Sequence, residues 1–230
     1  MSSFIGFCKK STILPNKTKE KNMKFKDCGT TPLGIYPLVN RAEKLETLFS
    51  LGITTAQLRT KDLEDEALES EIIEAIKISN KYKARLFIND FWELAIKHKA
   101  YGIHLGQEDL VDANLKAIYE AGIRLGVSTH TTKEIEMALE IEPSYLAIGP
   151  IFETTSKVVA YDTVGIEELK NWSQNVAYPI VAIGGINLEN IQDIVNIPSV
   201  DGIAMISELL DNGKISQNKT KKLLNFFKNN

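Results

Sequence analysis

The chain has 230 residues, 43% hydrophobic and 25% charged, the profile of a globular protein able to bury a sizeable core in one large domain or two small ones. A net charge of −3 gives no nucleic-acid signature, and no apolar run approaches the length of a membrane span. The two cysteines, Cys8 and Cys28, are too few for a disulfide scaffold, so the cytoplasm is the default compartment.

Residues 1–27 hold seven lysines against Glu20 and Asp27, a net of +5, which leaves −8 for the remainder. The apolar piece Phe4-Ile5-Gly6-Phe7 is too short for a signal-peptide core. Residues 1–30 are therefore expected to form a disordered basic tail, with Met23 as an alternative start, and residues 1–27 should be dispensable. Residues 31–230 are expected to form a single catalytic domain.

From Leu33 onward, short apolar runs alternate with helical patterns. The runs are Gly34–Val39, Thr54–Arg59, Arg85–Asn89, Gly102–Leu105, Arg124–Ser128, Tyr145–Ile151, Pro179–Gly184 and Gly202–Ser207. Between and after them lie helical patterns over Glu64–Lys81, Leu110–Ala121, Thr132–Glu140, Gly165–Gln174, Leu188–Val195 and Lys214–Phe227. Eight strands, each followed by a helix, predict an α/β (β/α)8 TIM barrel. The alternative, an open doubly wound sheet, is weakened because no glycine-rich phosphate fingerprint follows the first strand.

Barrel chemistry sits at the C-terminal ends of the strands. Gln57, Arg59 and Lys61 alternate along the end of the second strand, so they share a face and suit an anion. Asn89 and Asp90 end the third strand, and Gln107 and Asp109 follow the fourth. The right-handed crossover sets these strands side by side, so Asp90 and Asp109 either share a Mg²⁺ or each cap the helix that follows. Ser128, Thr129 and His130 end the fifth strand, as site residues or as a helix cap paired with Glu134. The sixth strand runs into G-P-I-F-E-T-T-S-K (149–157), where hydroxyls and a lysine could meet phosphate. Gly184-Gly185 and Ile206-Ser207 end the last two strands, the recurrent phosphate position of such barrels. One diphosphate-and-metal side and one monophosphate side suggest joining two phosphorylated small molecules.

Six stretches together resemble the thiamine phosphate synthase family: Q-L-R-T-K (57–61), F-I-N-D-F-W-E-L-A-I-K-H-K-A-Y-G-I-H-L-G-Q-E-D-L (87–110), L-G-V-S-T-H (125–130), the 149–157 loop, V-A-I-G-G-I (181–186) and I-S (206–207). The resemblance spans residues 33–210. It implies a transferase that joins hydroxymethylpyrimidine diphosphate to hydroxyethylthiazole phosphate, or its carboxylated form, giving thiamine phosphate and diphosphate. Diphosphate would leave first, and the thiazole nitrogen would capture the resulting pyrimidine-stabilised carbocation, so no general base is required. Residue by residue, it implies that Gln57, Leu58, Arg59, Thr60, Lys61, Asn89, Ser128 and Lys157 hold the pyrimidine diphosphate. Arg59, Lys61, Ser128 and Lys157 would be catalytic, and Asp90 and Asp109 would bind Mg²⁺. Thr154, Thr155, Ser156, Gly185, Ile206 and Ser207 would hold the thiazole phosphate. The implied partners are small phosphorylated substrates, with no nucleic acid and no membrane, and with room for a homo-oligomer.

The strand-6 loop departs from the family's P-T-x-T-K, with Glu153 for proline and Ser156 for threonine, and the V-V-A-Y-D that follows lacks the usual methionine. Two alternatives are a sister thiazole tautomerase, which shares the barrel without the paired aspartates, and a non-catalytic barrel that binds a phosphorylated ligand.

Overall fold

The computed structural model describes residues 23–154 and 162–228. Its first half runs β1 (Gly34–Val39), α1 (Ala42–Ser50), β2 (Thr55–Leu58), α2 (Asp65–Tyr82), β3 (Arg85–Asn89), α3 (Trp92–Lys97), β4 (Gly102–Leu105), α4 (Gln107–Asp112) and α5 (Leu115–Glu120). The second half runs β5 (Arg124–Thr129), α6 (Thr132–Leu139), β6 (Tyr145–Ile148), α7 (Gly165–Gln174), β7 (Ile180–Ile183), α8 (Ile191–Val195) and β8 (Gly202–Met205). A hairpin of β9 (Leu210–Asp211) and β10 (Lys214–Ile215) precedes the last helix, α9 (Gln217–Lys228). Strands β1 to β8 pair in sequence order, all parallel, and β8 closes on β1. This is the predicted (β/α)8 barrel.

Alternation along each strand separates two cores. Ile35, Leu58, Leu86, Ile88, Ile103, Leu125, Leu146 and Ile203 point outward and pack beneath the helices. Leu33, Tyr36, Leu38, Phe87, Tyr145, Ala147, Val181 and Ala204 fill the barrel interior. Helix α2 shows the outer logic: Leu68, Ile72, Ala75, Ile76 and Ser79 are buried at helical spacing, and the helix stops at Lys83, whose φ is 53°. Inside, a Cβ on Gly126 would overlap the Tyr145 ring, so glycine at that position is what lets the phenol lie across the barrel.

Three elements differ from the sequence pattern. The helix expected over Leu110–Ala121 is broken at Ala113, because the Asn114 side chain accepts from the Ala117 amide at 3.0 Å and starts a new helix. The pattern read as Lys214–Phe227 begins as the hairpin, turned at Asn212 (φ 48°) and Gly213 (φ 78°), and becomes helical only at Gln217. Strand β6 ends at Ile148 rather than Ile151, since Pro150 brings no amide hydrogen to the ladder.

Residues 23–33 run as a strap against the lower end of the barrel. Phe25 is 3% exposed and meets the Tyr119 ring edge to face at 5.8 Å. Arg85, at the bottom of β3, donates to the carbonyls of Thr31 at 2.9 Å and Pro32 at 2.6 Å. Arg124 donates to the Asp27 carbonyl at 2.7 Å, and Tyr101 to that of Cys28 at 3.2 Å.

Candidate active site

The opposite end of the barrel opens into a cavity of about 460 Å³. Gln57, Arg59, Lys61, Asn89, Asp90, Asp109, Ser128, Thr154 and Ile206 all line it, each carried there by the inward parity of its strand or by the loop just beyond. Leu58 and Thr60 occupy the opposite parity. Leu58 is 2% exposed in the outer core, and the Thr60 hydroxyl donates to the Asn40 carbonyl at 2.8 Å, so only their backbone lies near the cavity. Gly185 and Ser207 stand beside the cavity rather than in its wall. Thr155, Ser156 and Lys157 lie outside the described residues.

The acidic pair comes from two neighbouring strand ends. Asp90 has a φ of 66°, and its amide extends the β3–β4 ladder by donating to the His104 carbonyl at 3.0 Å. Its side chain makes no cap for α3; it takes the Lys61 ammonium at 2.6 Å instead. Asp109 does serve its helix, accepting from the Gly106 amide at 3.2 Å. Burial, and then the nearby charge of Asp90, raise the Asp109 carboxyl above the usual range. The capping expectation therefore holds for Asp109 and fails for Asp90. Among the described residues no three His, Cys, Asp or Glu side chains converge on one point, so any cation here rests on two carboxylates and must find its other oxygens elsewhere.

Gln57 is 2% exposed, and its Oε1 is buried with no hydrogen-bond partner among the described residues. An unsatisfied acceptor in a cavity wall costs stability unless a ligand donor fills it. Ser128 Oγ lies 2.8 Å from His104 Nε2, and Gln107 Nε2 donates to the Ser128 carbonyl at 2.6 Å. His130 lines the cavity but is held against Glu134, at 3.1 Å from Nδ1. The cap of α6 is Thr131, which accepts from the Glu134 amide at 3.2 Å, while Glu134 accepts from the His130 amide at 2.6 Å.

On the far side, Gly184 (φ 102°) and Gly185 (φ 67°) let the 149–154 segment approach the end of β7. A Cβ on Gly184 would stand 2.6 Å from Pro150 Cα, and one on Gly185 would stand 2.7 Å from Phe152 Cβ.

Sequence reasoning passed over Tyr36, His104 and Tyr145, which also line the cavity. The signal was available as strand parity: His104 follows Gly102 by two residues and precedes the rim, as Gln57 precedes Arg59.

The comparisons converge on one family. A family model described as thiamine monophosphate synthase matches residues 35–209. A thiamine-phosphate synthase from Proteus mirabilis is 49% identical over 178 residues, which is 77% of this chain and 82% of that protein. Its counterpart from Salmonella typhimurium is 48% identical over 186 residues, 80% of this chain and 88% of that protein. A solved thiamine phosphate pyrophosphorylase from Pyrococcus furiosus has a TM-score of 0.74 at 25% identity, covering 86% of this chain and 96% of that one.

Proposed function

The chain belongs to the thiamine monophosphate synthase family, and we propose that its rim couples a pyrimidine diphosphate to a thiazole phosphate, giving thiamine phosphate and diphosphate. The reaction is a transfer of a pyrimidinylmethyl group. The observation that carries the assignment is the shared cavity wall: a buried acceptor on Gln57, the cations Arg59 and Lys61, and the Asp90–Asp109 pair.

The two carboxylates fit Mg²⁺. They stand close enough for the Asp90 charge to raise the Asp109 carboxyl, and a divalent cation removes that conflict. Asp90 and Asp109 would hold the ion, which would supply Lewis-acid neutralisation of the leaving diphosphate. Gln57 Oε1 accepts a hydrogen bond from the amino group of the pyrimidine, and Asn89 lies beside it. Arg59, Lys61 and Lys157 gather the negative charge that grows as the carbon–oxygen bond breaks, and Ser128 donates to the same group. The backbone of Leu58 and Thr60 frames these side chains. Thr154, Thr155, Ser156, Gly185, Ile206 and Ser207 form the thiazole phosphate side, where positive-φ glycines admit close backbone approach. The thiazole nitrogen carries its own lone pair, so this chemistry requires no general base. A cytoplasmic location and self-association remain part of the proposal; no helix among the described residues is long and apolar enough to cross a membrane.

The test is diphosphate release from the two substrates, with Mg²⁺ and with excess EDTA. Release that needs both substrates and stops in EDTA is expected. Wild-type release in EDTA would remove the metal from the assignment, and no release under either condition would shift it to a metal-independent barrel acting on a thiazole phosphate.

A further inference from the structure

Beneath the rim, a file of buried polar side chains crosses the barrel interior. Tyr36 Oη and Tyr145 Oη are 2.8 Å apart, Tyr145 Oη and His104 Nδ1 2.7 Å, and His104 Nε2 and Ser128 Oγ 2.8 Å. Tyr145 is 0% exposed, Tyr36 1% and His104 7%. Gln57 neighbours Tyr36 at the far end. Two residues already placed in the substrate site, Gln57 and Ser128, thus flank the file at its two ends. The barrel is shaped to hold it, because Gly126 makes room for the Tyr145 ring and the His104 ring stacks on that phenol at 5.7 Å.

The protons in this chain can be placed. Among the described residues the hydrogen-bond partner of Tyr36 Oη is Tyr145 Oη, and Gln57 Oε1 accepts no hydrogen bond, so the Tyr36 proton goes to Tyr145 Oη. Tyr145 has one proton, and its remaining neighbour is His104 Nδ1, which must accept it. Burial keeps both phenols protonated, raising each above its ordinary range. His104 is left with its proton on Nε2, facing Ser128. The serine oxygen receives that hydrogen bond and its own proton is free for a ligand.

Building on the assignment of Ser128 and Gln57 to the pyrimidine diphosphate, we propose that Tyr36, Tyr145 and His104 are positioning residues that set the polarity of both ends. With its proton spent on Tyr145, Tyr36 leaves the Gln57 carbonyl oxygen to the heterocycle, and the three residues fix His104 as the Nε2–H tautomer, so that Ser128 presents a donor to the diphosphate. A hydroxyl that already accepts a hydrogen bond is a stronger donor to an anion, and it loses no freedom at the moment charge develops.

The protein has three histidines, so a long-range proton–nitrogen spectrum of its side chains is readable, and His104→Gln identifies the His104 signals. Wild-type protein is expected to show His104 protonated at Nε2 and bare at Nδ1. A Nδ1–H tautomer in the wild type would overturn the proposal without any variant having to fold. Tyr145→Phe keeps the ring and removes the hydroxyl that sets the direction. His104 should then populate both tautomers, and kcat should fall about tenfold, with the KM for the thiazole phosphate within about twofold of wild type. Wild-type kcat in a folded Tyr145→Phe protein would overturn the proposal. Ser128→Ala with full activity would also overturn it, by removing Ser128 from the site while leaving the measured tautomer in place, so the two failures are distinguishable.

Discussion

Asp109 binds its proton more tightly than a free carboxyl because burial and the Asp90 charge both disfavour its ionised form. A carboxyl whose folded pKa lies above its unfolded value imposes no penalty below the unfolded pKa. It weakens the fold increasingly as pH rises through the window up to the folded pKa. In metal-free protein, Asp109→Asn should therefore raise the melting temperature at neutral pH, and the gain should fade as pH falls toward about 4. The same variant keeps an acceptor for the Gly106 amide, so α4 should stay capped. Asp90→Asn should also fold, because asparagine tolerates the left-handed backbone found there. Activity is expected to move the other way: each variant should lose at least about a hundredfold in turnover, roughly 3 kcal/mol of transition-state stabilisation. Full turnover in both variants would falsify the metal assignment. The rim residues were readable because strand ends and alternation locate them in the sequence. What could not be read was that Asp90 is held by Lys61 instead of capping α3, since that depends on a backbone angle that only the fold imposes.

At the scale of elements, the eight strands were legible because apolar runs buried on both faces stand out between amphipathic helices. The N-terminal strap was not. A lysine-rich stretch reads as solvated, yet single apolar or carbonyl groups within it can still pack, and no periodicity announces them. Phe25 fills a site against Tyr119, and the strap's carbonyls accept from two arginines of the barrel. Deleting residues 1–27, harmless on composition alone, would remove both Phe25 and the Asp27 carbonyl that accepts from Arg124. Chemical denaturation should therefore show a loss. Phe25→Ala alone should cost about 3 kcal/mol, the lower end for a buried phenylalanine. An unchanged unfolding midpoint for both proteins would mean that the strap does not stabilise the floor. Asn212-Gly213 is a turn signal that the helical pattern read over Lys214–Phe227 left out, and the hairpin it makes delays the helix to Gln217.

Across the whole molecule, the two ends of the barrel have opposite duties. The floor carries the strap, whose backbone carbonyls accept from Arg85 and Arg124, so it adds stability. The rim leaves groups unsatisfied or in conflict: an acceptor without a donor on Gln57, and two carboxylates close enough to repel. Such a rim should gain stability when its ligands arrive, and it should gain most when they arrive together. In the proposed arrangement Mg²⁺ alone would meet two carboxylates and water, and inorganic diphosphate alone would meet Arg59 and Lys61 but also the charge of Asp90. The pair together would resolve both conflicts. With Mg²⁺ and diphosphate present at about a hundred times the dissociation constant of their complex, the fold should gain about 2.7 kcal/mol. For a domain of this length that is roughly 5–10 °C in melting temperature. Either ligand alone should give a much smaller shift, and Asp90→Asn should lose the excess that the pair produces over the two separate shifts. Thermal unfolding with each ligand, with both, and with both in the variant checks this. Additive shifts in the wild type would show that cation and anion bind at independent places, and the shared-site arrangement would have to be abandoned.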